Sequence, residues 1–389
     1  MPVVPLTLLV ILFILILMGI VESVLHAQTI SKIPIRVHVN GTRGKSSVVR
    51  LIAAGLRAGN IKTFAKTTGS SPRFIDEDGH DHVIQRFRPA SIGEQIRMMY
   101  KFSKSSPEAL VIECMAVQPQ YQWVSEHKIV QSNYGVITNV RADHLEEMGY
   151  SLNHIAKSLS NTIPFNKKIF TSETESIEAI NEKAMQNNCS VHVCEGCKLD
   201  DDYLDGFPFI EHPDNIALAL EVCESIGVSR DVAIQGMRVL QPDPGALTVN
   251  RLKVDGKEID FVNAFAANDP QSTIKTILMI KDNYKNKEMI IFLNTRSDRQ
   301  LRTKQLLDLI FSRIKPAHLF VRGDNLEEQI KLAANRYGEI PCNLFEEATT
   351  QDEIIEEMKS LKNSYVIGIG NIVGWGESFM RKIRNTNVR

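Results

Sequence analysis

The chain has 389 residues, 43% of them hydrophobic and 23% charged, with a formal net charge of −1. That length is enough for two or three domains, and the balanced charge excludes a general attraction to polyanions, so nucleic acid is not an expected partner. Six cysteines in a chain of this size do not make a disulfide framework.

The N-terminus departs from this even composition. Residues 3–21 are almost wholly apolar, broken only by Pro5, Thr7 and Gly19, and roughly 20 such residues span a bilayer core. No Lys or Arg precedes the run and Leu25-His26-Ala27 is a weak cleavage candidate, which favours a retained anchor over a signal peptide. Lys32, Arg36, Arg43 and Lys45 follow it, so the positive-inside rule predicts a single-pass cell-membrane protein whose catalytic part is cytoplasmic.

Apolar runs then alternate with helical periodicity. Residues 35–39, 61–65, 110–113, 134–139 and 168–171 read as strands with helical stretches between them, the pattern of a parallel sheet covered on both faces. Helical patterns over 215–226 and 230–239 close this domain, and Gln241-Pro242-Asp243-Pro244-Gly245 interrupts the chain with helix-hostile residues. Beyond it, strands at 288–293, 317–321 and 364–369 alternate with helices at 299–314, 325–337 and 352–361. The expected fold class is α/β, in three parts: a transmembrane anchor at 1–28, an ATP-binding P-loop domain with a parallel sheet at 29–245, and a smaller Rossmann-like α/β domain at 246–389.

Residues 34–58 carry the strongest chemical signal. A β-branched strand runs into Gly41-Thr42-Arg43-Gly44-Lys45-Ser46-Ser47 and then into an amphipathic helix. Backbone amides of such a loop point at an anion, Lys45 reaches the β- and γ-phosphates, and Ser46 can place its hydroxyl on Mg²⁺. Val39 stands where the standard G-x-x-x-x-G-K-[ST] loop has its first glycine, so this loop is a shortened variant. An ordinary strand-to-helix turn is the alternative; the flanking strand and helix favour ATP and Mg²⁺.

In open α/β sheets ligands bind beyond the carboxyl ends of the strands. Glu113 follows the run at 109–112, and Asp143-His144 follows the run at 135–140. A carboxylate and an imidazole at such positions can hold Mg²⁺ ions that neutralise a triphosphate. Cys189, His192, Cys194 and Cys197 form a metal-like cluster, but they crowd into one strand and turn, and ordinary thiols are the preferred reading.

These segments resemble the Mur ligase superfamily, which includes the peptidoglycan amino-acid ligases and folylpolyglutamate synthase. The 41–47 loop is similar to its G-T-x-G-K-[ST]-[ST] loop, Glu113 to its Mg²⁺ glutamate, and Asn139-Val140-Arg141-Ala142-Asp143-His144 to its N-V-x-x-D-H segment, whose histidine binds a second Mg²⁺. Asn215 matches the H-x-x-N asparagine near the nucleotide base. Phe265-Ala266-Ala267-Asn268-Asp269-Pro270 resembles the D-Y-A-H-N-P stretch that opens the third domain, which brings Asn268 and Asp269 to the nucleotide. Within the superfamily the whole chain resembles the ligase subunits of poly-γ-glutamate synthase, through the N-terminal span, Arg43 in the loop, Lys66-Thr67-Thr68-Gly69, Glu113-Cys114-Met115, Pro242-Asp243-Pro244-Gly245 and Gly368-Ile369-Gly370-Asn371.

The resemblance implies ATP-dependent amide ligation with Lys45, Arg43, Glu113 and His144 in catalysis and Ser46, Glu113 and His144 on Mg²⁺. It implies glutamate and a poly-γ-glutamate chain as substrates, and small integral-membrane synthase or export subunits as partners. The chain departs from the superfamily at Gly245-Ala246-Leu247, where a G-R-x-E arginine is usual; Arg296 or Arg299 could supply that charge. Lys157 is the nearby candidate for the superfamily's carbamylated lysine, with a solvated lysine preferred. Thr68, Arg73 and Arg88 are candidate substrate contacts, since arginines suit carboxylates by bidentate bonding. Two alternatives remain at this point: another Mur or folylpolyglutamate-type amino-acid ligase, and a membrane-tethered P-loop ATPase driving transport or assembly.

Overall fold

The computed structural model describes residues 3–69, 72–86, 90–204, 206–207, 209, 211–242, 247–254, 257–265, 270–281 and 284–386. The chain divides into two compact units, Met1–Phe207 with His212–Gln241 and Pro208–Glu211 with Pro242–Arg389.

In the first unit the strands are β1 (Ile35–Asn40), β2 (Thr63–Thr67), β3 (Arg73–Ile75), β4 (Asp81–Val83), β5 (Ala109–Glu113), β6 (Tyr134–Ile137), β7 (Lys168–Thr171) and β8 (Ser190–Val193). They form one sheet in the order β4-β3-β2-β5-β1-β6-β7-β8. The six strands from β2 to β8 in that order run parallel, while β3 and β4 fold back antiparallel at the edge. Every residue of β5 is buried, as a central strand covered on both faces requires. On one face Val48, Leu51, Ile52 and Leu56 of the helix Lys45–Ala58 pack with Ile216 and Leu220 of the helix Pro213–Ile226 against Val37 and Val39. On the other, Met99 and Phe102 of the helix Gly93–Ser103 pack with Phe64, Leu110 and Ile112.

The N-terminal helix Val3–Ser31 runs past the expected anchor boundary at residue 28. Its stretch Thr7–Ser31, 25 residues with mean hydropathy 3.0, is long and apolar enough to cross a membrane, and none of its most apolar window is buried. Its last turns belong to the first unit: His26 Nε2 lies 2.8 Å from the carbonyl of Ile129, and Thr29 and Ile33 are buried.

The second unit contains β9 (Thr248–Val254), β10 (Lys257–Asn263), β11 (Glu288–Asn294), β12 (His318–Arg322), β13 (Cys342–Phe345) and β14 (Ser364–Gly370), in the sheet order β13-β12-β11-β14-β10-β9. All pair in parallel except β9 with β10. Both units are thus α/β with largely parallel sheets, as the alternating pattern predicts. The edge strands β4, β8, β9 and β13 and the inner strands β3 and β10 do not stand out as apolar runs: an edge strand is covered less than a central one, β3 has only three residues, and β10 carries Lys257, Glu258, Asp260 and Asn263 among its seven.

Candidate nucleotide site

The loop between β1 and the helix Lys45–Ala58 is shaped by two glycines. Gly41 has φ 132° and Gly44 φ 79°, both in the left-handed region. A Cβ on Gly41 would lie 2.0 Å from Thr138 Oγ1, and one on Gly44 would lie 2.8 Å from Asn215 Oδ1, so neighbours fill the space a side chain would need. The end of β6 holds the loop from one side. Thr138 Oγ1 donates to the carbonyl of Arg43 at 2.6 Å, Asn139 Oδ1 accepts from the Arg43 amide at 3.1 Å and the Thr42 hydroxyl at 2.7 Å, and Asn139 Nδ2 donates to the Arg43 carbonyl at 3.0 Å. Lys45 Nζ curls back to the carbonyls of Gly41 at 2.7 Å and Thr42 at 3.3 Å, which fixes an ammonium inside the loop.

Glu113, at the carboxyl end of β5, is 3% exposed. Its Oε2 accepts from Ser46 Oγ at 2.8 Å and from the Thr68 amide at 2.7 Å, and its main-chain carbonyl accepts from Gln95 Nε2 at 2.9 Å. A hydroxyl and a carboxylate at hydrogen-bond distance are the hard oxygen donors that suit Mg²⁺. A Cβ on Gly69 would lie 3.0 Å from Ser46 Oγ, so the backbone after β2 approaches this pair closely.

Behind the pair lies a buried charge cluster. Lys66 Nζ is 2.9 Å from Glu94 Oε1, and Arg86 forks onto Glu94 at 2.7 and 3.0 Å. Burial works against the Glu94 charge, but the Arg86 hydrogen bond and the Lys66 ammonium outweigh it and hold the carboxyl down at about 2. Under the loop, His38 Nδ1 and Glu126 Oε2 are 2.7 Å apart and both are buried. Burial favours the neutral imidazole, yet the neighbouring Cys114 and the Glu126 carboxylate prevail and raise the His38 pKa to about 10.

The other expected site residues divide into three groups. Asn215 reaches the loop, as its approach to Gly44 shows, and Arg43 extends to Asp143 at 3.4 Å. His144, half exposed, caps a short turn at φ 48°, with Nδ1 3.9 Å from Glu147; its link to the loop runs through its neighbour Asp143. Arg73 lies instead in the edge hairpin, 3.8 Å from Asp81, which also takes a bidentate contact from Arg50. In the second unit Arg296 forks onto Asp298 at 2.8 and 2.6 Å. Lys157 is exposed on the helix Leu152–Leu159, and His192 stacks on Phe170 with 4.9 Å between ring centroids. Arg88, Asn268 and Asp269 lie outside the described residues. Gln95 supports Glu113 and Thr138 supports the loop without belonging to any sequence motif, and only the strand order brings them in.

Family models match most of the chain. Residues 39–219 match the Mur ligase middle domain, and residues 249–386 match the poly-gamma-glutamate synthase CapB C-terminal domain. The chain is 37% identical over 380 residues to the capsule biosynthesis protein CapB of Bacillus anthracis, covering 96% of this chain and 82% of that one. It is 35% identical over 382 residues to the PGA synthase CapB of Bacillus subtilis (strain 168), covering 97% of each. Its fold is similar to that of E. coli FolC in complex with DHPP and ADP, with TM-score 0.69 at 15% identity over 95% of this chain and 93% of that one. The chain belongs to the CapB family of poly-γ-glutamate synthases, built on a Mur ligase middle domain, and is an ATP-dependent amino-acid ligase.

Proposed function

We propose that this chain extends poly-γ-glutamate by activating the terminal γ-carboxylate of the polymer with ATP and joining it to the amine of an incoming glutamate. The observation that carries this is the Ser46–Glu113 pair set beside the glycine loop and Lys45, in a chain whose relatives are named for capsule and PGA synthesis. A carboxylate oxygen attacks the γ-phosphorus, the bond to the β–γ bridging oxygen breaks, and ADP leaves. The amine then adds to the acyl carbon, a proton passes to solvent, and phosphate departs with the amide formed.

The chain's own groups serve these steps by position and charge. Loop amides and Lys45 bind the phosphates and offset the charge that grows on the transferred oxygens. Arg43, tethered by Asp143, lies at the same loop and is assigned to the γ-phosphate. Asn215 closes the loop on the base side. Ser46 and Glu113, with His144 for a second ion, would hold Mg²⁺, which supplies charge neutralisation and orientation of the phosphates. Thr68, whose amide bonds to Glu113, is assigned to the substrate side.

The exposed apolar stretch of Val3–Ser31 serves as a single-pass anchor that keeps the ligase on the cytoplasmic face, beside small integral-membrane subunits that export the anionic product. Full-chain protein with those subunits in membranes is expected to release ADP only when glutamate is present, and to make a polymer that resists α-peptidases and hydrolyses to glutamate alone. ADP release indifferent to glutamate would support the P-loop ATPase reading instead.

A further inference from the structure

The amino-terminal ends of the parallel strands in the first unit face away from the phosphate loop, and they carry side chains that the nucleotide chemistry does not use. β1 is six residues long, so these ends lie about 20 Å from the loop. The apolar helix enters here. His26 bonds to the Ile129 carbonyl at 2.8 Å, and Ile30 and Ile33 pack with Ile129 and Val130, so the helix joins the unit without a flexible linker.

Ile129 belongs to a helical stretch, Pro119–Val124 continued by Ser125–Val130, that also carries Trp123 and Lys128. Trp123 is 36% exposed, and its ring centroid is 5.0 Å from that of His127, which is 4.5 Å from that of Phe165, itself 51% exposed. Lys128 Nζ lies 5.6 Å from the Trp123 centroid. Phe165 leads into exposed Lys167 and Lys168 at the start of β7, with Lys168 donating to Ser225 Oγ at 2.8 Å. Beside them opens a cavity of about 730 Å³ whose walls include Pro34 and Ile35, just past the apolar helix, as well as Lys167 and Lys168. Glu126, two residues before Lys128, is buried against His38 and Ser132 and does not offset that lysine.

Exposed aromatic rings interleaved with lysines at the root of an apolar helix are the composition of a membrane–water interface. We infer that this edge is a second membrane contact: Trp123 and Phe165 seat at head-group depth while Lys128, Lys167 and Lys168 meet anionic phospholipid. The inference rests on the anchor reading of the helix. It would hold the catalytic unit at a fixed attitude, with the phosphate loop turned toward the cytoplasm, and not leave it swinging on a tether.

The test is depth-dependent fluorescence quenching of the full-length chain in vesicles of phosphatidylcholine with and without phosphatidylglycerol, carrying a nitroxide at the top of the acyl chains. The difference between wild type and Trp123→Phe isolates Trp123 from Trp375. We expect Trp123 to be quenched, more strongly with phosphatidylglycerol, and the quenching to fall by roughly half or more when Lys128→Glu, Lys167→Glu and Lys168→Glu are combined, with ADP release confirming that each variant is folded. A chain that floats with vesicles while Trp123 stays unquenched overturns the contact and leaves the anchor standing; a chain that does not float overturns both. Shielding of Trp123 from aqueous acrylamide only after the small membrane subunits are added would make this edge a protein interface and overturn the lipid assignment.

Discussion

Both units place a strand-to-helix connection near the middle of a parallel sheet, and the two connections are built in opposite ways. After β1 the chain turns through Gly41 and Gly44, and the neighbouring side chains of Thr138 and Asn139 hold the loop by its backbone. After β11 the connection Thr295-Arg296-Ser297-Asp298-Arg299 has no glycine. There the strand end spends its polar groups on its own unit: Asn294 donates to the Asn371 carbonyl at 2.6 Å and accepts from Arg322 at 3.1 Å, and Arg322 lies 4.2 Å from the Trp375 ring centroid and donates to the Glu347 carbonyl. A phosphate cradle needs amides that the protein does not use and glycines that let the backbone approach an anion. The first connection supplies the glycines and, beyond the Thr42 and Arg43 amides held by Asn139, a helix N-terminus with no side-chain cap, while the second is closed by a side-chain network that stabilises the fold.

Substitutions can break or sharpen this contrast. The largest effect is expected at Lys45→Ala, which should lower glutamate-dependent ADP release about a thousandfold while leaving the thermal midpoint within a degree or two, since the ammonium acts on charge that develops in the reaction. Turnover within tenfold of wild type would remove the loop from the chemistry. Next, Glu113→Gln is expected to cut activity about a hundredfold and to shift the Mg²⁺ titration upward, because one oxygen donor beside Ser46 is lost. An unchanged Mg²⁺ dependence would leave Glu113 a support for Thr68 alone.

In the second unit the sign reverses. Arg322→Ala should cost roughly 2 kcal/mol of unfolding free energy through the lost ring contact and hydrogen bonds, and denaturant melts are expected to show it with the KM for ATP little changed. A large rise in that KM with unaltered stability would mean that the β11 end binds ligand after all.

At neutral pH the smallest effect concerns His38 under the loop. Its folded pKa is raised from 6.5 to about 10, so the folded state binds the proton more tightly, and the stabilisation is complete below 6.5 and fades as pH climbs toward 10. The thermal midpoint of wild type should therefore decline across that window more steeply than that of His38→Gln. Parallel pH profiles would show that the His38–Glu126 pair titrates no differently in the folded and unfolded states.

The amino-acid sequence by itself determined what is local: the apolar N-terminal helix, the alternation of strands and helices, and a glycine loop whose residue order dictates its own backbone. It also marked Glu113 as the end of a buried strand, because an apolar run must stop where the sheet meets solvent. Only the tertiary structure decided which distant groups meet. Parallel strands paired in the order β2-β5-β1-β6 bring the Thr68 amide and Gln95 to Glu113, and Thr138 and Asn139 to the loop. The same pairing leaves Arg73 in an edge hairpin beside Asp81, where its sequence neighbourhood gave no warning. Periodicity reports how much of one segment is buried; it carries no information on which segment lies beside it, and a site made of strand ends is fixed by that adjacency.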